Sequence, residues 1–348
     1  MARHPLIFDT MADVKAWTVE EDRMPSATHE EILGAAVADL YFVRSRDVLR
    51  QMGKLDTQVC AEIFTRKHGI FAGLPEALKV LNQVPCKVWA QDEGTAFEPL
   101  RPVMRIEGSY EAFGAFESVL LGILASSSAW ATAARACVDA AAGKPVLCFG
   151  ARHLHPAVAP VMESVAVRVG GCASASCILG AKLAGGMPEG TIPHAVVLVG
   201  GDTVQVAQAY AETLAEGAPM TILVDTFKDE AEEALRVAEA LGSRLTGVRL
   251  DTPSERGGVT PALIKEVRHR LDLAGHHHVK IVATGGITPE RIIELSAAGA
   301  DVFGVGSYIA RGMSCDMTMD IKEIEGKPIA KRGRLPGRLD NPLLHQVK

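Results

Sequence analysis

Two strand ends late in the chain constrain its fold most. In the segment KIVATGGITPERIIELSAAGADVFGVGS, residues 280–307, one apolar strand runs into Thr284-Gly285-Gly286. A second runs into Gly304-Val305-Gly306-Ser307 one helix later. Glycine carries no Cβ, so backbone N–H groups there can approach the oxygens of an anion, and paired glycine turns at successive strand ends are how a (β/α) barrel seats a phosphate. The pattern implies parallel strand–helix units and a phosphorylated small molecule. It does not name the chemistry, because unrelated barrels share it.

The same rhythm extends back to Pro145. The apolar runs PVLCFGA, VAPVMESVAVRV, AVVLVG, TILVD, GVRLD, VKIVATGG and DVFGVG alternate with amphipathic stretches such as DEAEEALRVAEALG and PALIKEVRHRLDLAG. That many short runs separated by helices favours an irregular (β/α) barrel over an open sheet. In the first of those helices Ala234, Leu235, Ala238 and Leu241 form a stripe ended by Gly242. The first half reads differently. CKVWAQDEGTAFEPLRPVMRIEGSY gives short strands with turns, a helical run follows from Glu117 to about Ala142, and the tail alternates Met317, Met319, Ile321 and Ile324 around a Glu325-Gly326 turn. The expectation is an α/β chain in three segments. Residues 1–142 form an open-faced α/β domain with its connecting helix, 143–314 the barrel, and 315–348 a hairpin tail returning to the first domain.

With 348 residues, 48% of them hydrophobic, the chain can bury two cores at about 100–200 residues per domain. A net charge of −6, with Lys331-Arg332-Gly333-Arg334 as the one dense basic run, argues against a nucleic-acid surface. The first residues carry acids within their apolar patch, and no run of about 18 apolar residues is read after them, so neither a signal peptide nor a membrane partner is expected and the protein reads as cytoplasmic. Seven cysteines without a C-x-x-C pair fit reduced thiols. His276-His277-His278 reads as an exposed loop, since adjacent residues point apart and no acid or thiol stands at ligand spacing; no metal site is expected from protein side chains alone.

The strand ends carry the candidate chemistry. In order they present Phe149 to His153, then His194, Asp225-Thr226, Asp251-Thr252 and the two glycine turns. Arg152 and His153 suit an anionic substrate, the two carboxylates suit ribose hydroxyls or Mg2+, and the turns suit a phosphate. Structural readings stand beside these. Asp251 before Thr-Pro-Ser reads equally as a helix N-cap, and His155 before Pro156 as a loop residue.

These motifs, in this order, resemble a known family. ADLYF around Tyr41, ESVLLGILASSSAWATAAR, FGARHLHPAVAP, GTIPHAV, LVDTF, VRLDTPS, TGGI, FGVGS and IKEIEGKPIAKRGR are similar to nicotinate phosphoribosyltransferases of the short, archaeal-type branch, over about residues 35–338. The resemblance implies transfer of phosphoribosyl from phosphoribosyl pyrophosphate to nicotinate, giving nicotinate mononucleotide and pyrophosphate for NAD synthesis. It also implies an open-faced domain on an irregular barrel, and a homodimer or higher homo-oligomer whose sites draw on two subunits. The apolar helix around Leu120, Leu121 and Leu124 is read as part of that interface.

The nearest rival, quinolinate phosphoribosyltransferase, shares the architecture but carries T-R-K-T-x-P after its first barrel strand and G-G-G-x-x-H-R after the next helix. Here the lysine is His153, and the His-Arg pair falls on Ala175 and Ser176. A second substrate carboxylate would lack its clamp, at a cost on the order of several kcal/mol if buried unpaired. Carried over by position, Arg152 pairs with the nicotinate carboxylate, while Phe149 and a neighbouring subunit's Tyr41 sandwich the ring. Asp225 and Asp251 hold the ribose and favour an oxocarbenium-like centre. Gly285, Gly286, Gly306 and Ser307, with Thr284 and Gly304 of the same turns, hold the 5′-phosphate. Charge alone assigns the diphosphate to Mg2+ with Arg46 or Arg66. His194 matches the histidine that ATP-coupled members phosphorylate, but Ala195 replaces the Glu that usually follows, so ATP is expected to stimulate without being obligatory; the alternative is a histidine held by a loop hydrogen bond. A reading of another class, a non-catalytic nucleotide-binding barrel, stays open because fold does not fix function.

Overall fold

The computed structural model describes residues 6–348 except 216 and 314. The chain divides into two compact units, one of residues 1–132 with 313–348 and one of 133–312. The division therefore falls inside the helix Glu117–Ala140, ten residues before the expected 142, and at its far end beside residue 314, which lies outside the described residues.

The first unit is built on an antiparallel sheet. In spatial order its strands are Lys327–Pro328, Met317–Ile324, Gln58–Thr65, Met104–Ser109, Cys86–Ala90 and His345–Gln346. The tail closes as a hairpin because Glu325 and Gly326 take φ of 49° and 71°, the two left-handed residues that a two-residue turn of matching twist requires. Ile63, Val88, Met104, Ile106, Phe113 and Phe116 fill the core beneath the sheet. Leu120 and Leu124 join them and are fully buried, which corrects their reading as interface residues: the helix spends that face on its own core. The alternation expected of the tail strand also shifts, since Asp320 and Lys322 are buried while Met319, Ile321 and Ile324 are partly covered. Asp320 is met there by Lys331 Nζ at 2.7 Å and Arg334 Nε at 2.8 Å.

A stretch Tyr110–Ala140 is long and apolar enough to cross a bilayer, against the reading that no such run exists. Within the protein, 61% of its apolar window is buried, as befits a core helix.

The second unit carries six parallel strands in the spatial order Ser174–Ala175, Val146–Cys148, Val302–Val305, Lys280–Ala283, Gly247–Leu250 and Thr221–Leu223. Helices Ala159–Arg168, Glu230–Leu241, Pro261–Leu273 and Pro289–Ala298 follow strands and cover the sheet. The unit is a curled half-barrel, open between its two edge strands among the described residues. Two expected strands are helices. VAPVMESVAVRV forms Ala159–Arg168, and AVVLVG forms most of His194–Gly200. An apolar run alone does not separate a buried strand from a helix. Here Pro193 as the N-cap and Gly201 in the left-handed conformation bound a helix that buries Val197 and leaves Leu198 and Val199 exposed. That helix stands where a further strand would have continued the barrel.

Candidate active site

Because the strands are parallel, their C-terminal ends gather at one edge, where side chains leaving the sheet line a cleft of about 310 Å3. Phe149, Arg152, His153, Ser176, Thr191, Arg249, Asp251, Thr284, the glycines 285, 286, 304 and 306, and Ser307 contribute to its wall. Most strand-end residues expected from the sequence thus meet. His194, Asp225 and Thr226 stand together beside Asp251, and Tyr41, Arg46 and Arg66 belong to the other unit.

Both glycine turns are conformationally committed. Gly285 and Gly286 have φ of 85° and 63°, and a Cβ at Gly285 would lie 3.1 Å from Asp251 Oδ1. At Gly306 an added Cβ would fall 2.5 Å from the Phe149 carbonyl oxygen and 2.8 Å from His153 Nε2, so this turn is in close contact with the Phe149–His153 segment. The first turn leads into helix Pro289–Ala298, capped by Thr288, and the second into Ser307–Ala310.

The carboxylates differ in their surroundings. Asp251 Oδ2 accepts from Arg249 Nη2 at 2.9 Å, and its Oδ1 lies 2.9 Å from Thr284 Oγ1. It caps no helix: the next turn is capped by Pro253 and the next helix by Thr260. Asp225 has a side chain 1% exposed, and neither of its oxygens has a hydrogen-bond partner. Burial raises its pKa, His194 opposes that rise, and Asp251 adds to it. His194 bridges the pair, its Nδ1 3.0 Å from Thr226 Oγ1 and its Nε2 3.6 Å from Asp225 Oδ2 and 4.0 Å from Asp251 Oδ2. The expected strand-end position of His194 is corrected to the first residue of a helix, and it still reaches the site.

Among cations, Arg152 is exposed and has no hydrogen-bond or ion-pair partner among the described residues. Burial lowers the pKa of His153, with Arg152 and Arg311 adding to the effect. Arg249 is the residue the sequence reading missed. From inside the strand Gly247–Leu250 it donates to Thr284 Oγ1 at 3.0 Å, Thr191 Oγ1 at 2.9 Å and Asp251, and its guanidinium stands 5.6 Å from the Phe149 ring centroid. The available signal was a lone charge inside the apolar run GVRLD, one residue from a strand-end acid.

Arg46 is not a free cation. It is 1% exposed, donates through Nε to Asp9 at 2.9 Å and through Nη1 to the Glu111 carbonyl at 2.8 Å, and is thereby neutralised within its own unit. Arg66 is exposed after strand Gln58–Thr65, and Tyr41, 55% exposed, lines an apolar groove with Val48, Tyr110 and Ile321. No cluster of three or more His, Cys, Asp or Glu side chains forms a metal site among the described residues. His277 instead sits 3.0 Å from Asp272 on the surface, and His155 accepts from the Ala157 N–H in its loop.

Residues 39–128 match the family model of the quinolinate phosphoribosyl transferase N-terminal domain, and residues 130–320 match that of its C-terminal domain. The chain belongs to the quinolinate phosphoribosyltransferase family. Phosphoribosyltransferases are therefore its kin, and relatives with two names lie on either side of it. A nicotinate phosphoribosyltransferase of Mycobacterium tuberculosis, pncB1, is 30% identical over 303 residues, covering 77% of this chain and 66% of the relative. The human nicotinate-nucleotide pyrophosphorylase [carboxylating] is 27% identical over 274 residues, covering 78% and 85% respectively. The crystal structure of nicotinate-nucleotide pyrophosphorylase from Pyrococcus furiosus superposes with a TM-score of 0.87 at 43% identity, covering 91% of this chain and 82% of that one. The matched region spans about two thirds of the length of the mycobacterial relative. The expected nicotinate branch is finer than the family assignment, which comprises both names.

Proposed function

We propose that this phosphoribosyltransferase-family chain transfers the phosphoribosyl group of phosphoribosyl pyrophosphate to nicotinate, giving nicotinate mononucleotide and pyrophosphate in NAD biosynthesis. One observation carries the choice of acceptor. Arg152 is the cleft's unpaired guanidinium, whereas Arg249 is committed to Asp251 and two hydroxyls, burial disfavours the charged form of His153, and Ala175 and Ser176 offer no charge. One free guanidinium matches one carboxylate.

In this reading Arg152 and Phe149 place the pyridine nitrogen against the anomeric carbon. The ring nitrogen's lone pair forms the N–C1 bond, the C1–O bond to the diphosphate breaks with its electron pair on oxygen, and no proton is transferred. The glycine turns seat the 5′-phosphate, and Asp251, fixed by Arg249 and Thr284, supplies negative potential near the developing positive charge. Asp225's two unpartnered oxygens suit ribose hydroxyls or a Mg2+ ion arriving with the diphosphate, a cation that typically takes one or two carboxylates and substrate oxygens. Such an ion, when bound, offsets the diphosphate's charge. Arg66 remains a candidate for the diphosphate, and Tyr41, exposed in an apolar groove, for completing a neighbour's site in a homo-oligomer.

The test is pyrophosphate release measured with nicotinate, nicotinamide and quinolinate in parallel, with and without ATP. Nicotinate is expected to be turned over fastest, and ATP to stimulate without being required. Faster turnover of quinolinate with release of CO2 would establish the rival activity instead.

A further inference from the structure

Glu163, on helix Ala159–Arg168, is fully buried and no cation pairs with it among the described residues. All of its hydrogen bonds come from neutral donors. Oε1 accepts from the N–H groups of Gly150 at 2.8 Å and Ala151 at 2.9 Å and from Ser176 Oγ at 3.1 Å, and Oε2 accepts from Cys177 N–H at 2.6 Å. These donors lie on two separate turns of the cleft wall. One carries Phe149 and Arg152, and the other follows strand Ser174–Ala175. Four donors converge on two oxygens, so both positions of this side chain are used as acceptors.

We propose that Glu163 is a positioning and specificity residue for the reading above: it ties the Phe149–Arg152 turn to the Ser176–Cys177 turn, and it accepts the hydrogen bond of the Ser176 hydroxyl so that this hydroxyl turns only lone pairs toward the cleft. The inference rests on the nicotinate reading. Ser176 lines the cleft, and a serine has a single O–H to give. With that hydrogen held by Glu163, Ser176 cannot donate to a second carboxylate on the acceptor ring and instead meets it oxygen to oxygen. The cleft thus discriminates by repulsion as well as by lacking a second cation, the negative element that a difference of affinities often needs. The same carboxylate holds the two backbone N–H groups just before Arg152, so the direction in which that guanidinium faces the substrate depends on it.

Two variants separate these roles from a purely structural one. In Ser176→Ala, the ratio of the quinolinate inhibition constant to the nicotinate KM is expected to fall by about three- to tenfold, the range of a modest polar mismatch. In Glu163→Gln, an amide NH2 faces either the Cys177 N–H or the cluster of three donors. The nicotinate KM is expected to rise about tenfold, as for one buried hydrogen bond lost, while the phosphoribosyl pyrophosphate KM stays within about twofold. A ratio unmoved in Ser176→Ala overturns the specificity role. Equal rises in both KM values in Glu163→Gln overturn the positioning role, and should that variant fail to fold, Glu163→Asp, which withdraws the same carboxylate from the Gly150 and Ala151 N–H groups, is read in the same way. Wild-type preference for quinolinate would overturn the nicotinate reading and this inference with it, whereas preference for nicotinate with an unmoved ratio overturns the inference alone.

Discussion

Replacing Asp225 by asparagine should make the protein more stable and nearly inactive. The Asp225 side chain is 1% exposed and neither oxygen has a hydrogen-bond partner, and His194 Nε2 at 3.6 Å offsets its charge only in part, so the folded state carries a poorly compensated buried acid. Leaving such a group unsatisfied costs about 1–3 kcal/mol, and Asp225→Asn keeps the shape while removing the charge. For a unit of the size of residues 133–312 that corresponds to a rise in melting temperature of about 2–12 °C. The pH dependence follows from the raised pKa, whose first cause is burial. An acid with a folded pKa above its unfolded value binds its proton more tightly when folded. Its contribution is therefore most favourable below the ordinary carboxylate range and is lost as pH rises through the raised value. The gap between variant and wild type should accordingly be widest near neutrality and close as the pH falls. Scanning calorimetry at about pH 7.5 and about pH 5, with turnover measured on the same samples, tests both halves. On the proposed reading, losing the carboxylate that holds the ribose hydroxyls or Mg2+ should lower kcat by about 10²–10³-fold. A melting temperature at or below wild type at the higher pH would refute the claim that the site stores unfavourable charge.

Three further outcomes are expected. Arg152→Ala should raise the nicotinate KM by about 10–100-fold, the loss of about 1.5–3 kcal/mol from a charge-assisted pair; an unchanged KM would assign the carboxylate to another cation. Gly286→Val should abolish phosphoribosyl pyrophosphate binding with the fold retained, because the residue has φ of 63° and open space where the side chain would stand. Wild-type affinity by titration calorimetry would remove that turn from the site. Mixing inactive Tyr41→Ala with inactive Asp251→Ala should restore part of the activity if sites are shared between subunits, and absence of recovery despite demonstrated subunit exchange would confine each site to one chain.

Much of the second unit was legible because parallel strands are short apolar runs ending in polar or glycine residues, and seven of the expected site positions, Asp251, Thr284, Gly285, Gly286, Gly304, Gly306 and Ser307, line one cleft wall with Arg152 and Phe149. The valine-rich runs were misread because hydrophobicity without period does not choose between helix and strand. For His194–Gly200, the proline before and the glycine after were the better evidence. Arg46 was misjudged for a different reason. Its partners Asp9 and Glu111 lie 37 and 65 residues away, so nothing local reveals that its charge is already met. Glu163 was invisible for the complementary reason: three of its four donors are backbone N–H groups, which every sequence carries. The paired glycine turns were readable because the residue type itself announces a left-handed backbone, as at Gly285 and Gly286, or a close approach, as at Gly304 and Gly306.

The hairpin tail has a consequence for the order in which the chain is made. Strand Gln58–Thr65 lies between Met104–Ser109, about forty residues on, and Met317–Ile324, and the Gln58 N–H is met by the Glu325 carboxylate 267 residues downstream. At ribosomal speeds of about 5–20 residues per second, that edge of the strand waits roughly 10–50 s for its partner. During this interval the whole parallel unit, which is continuous in the chain, emerges and can fold. The residues of the second unit are thus all made before the first unit's last strands, and until the tail arrives strand Gln58–Thr65 has an open edge of the kind that recruits stray strands. Translation that stalls after the parallel unit would release a chain with its second half finished and that edge uncovered.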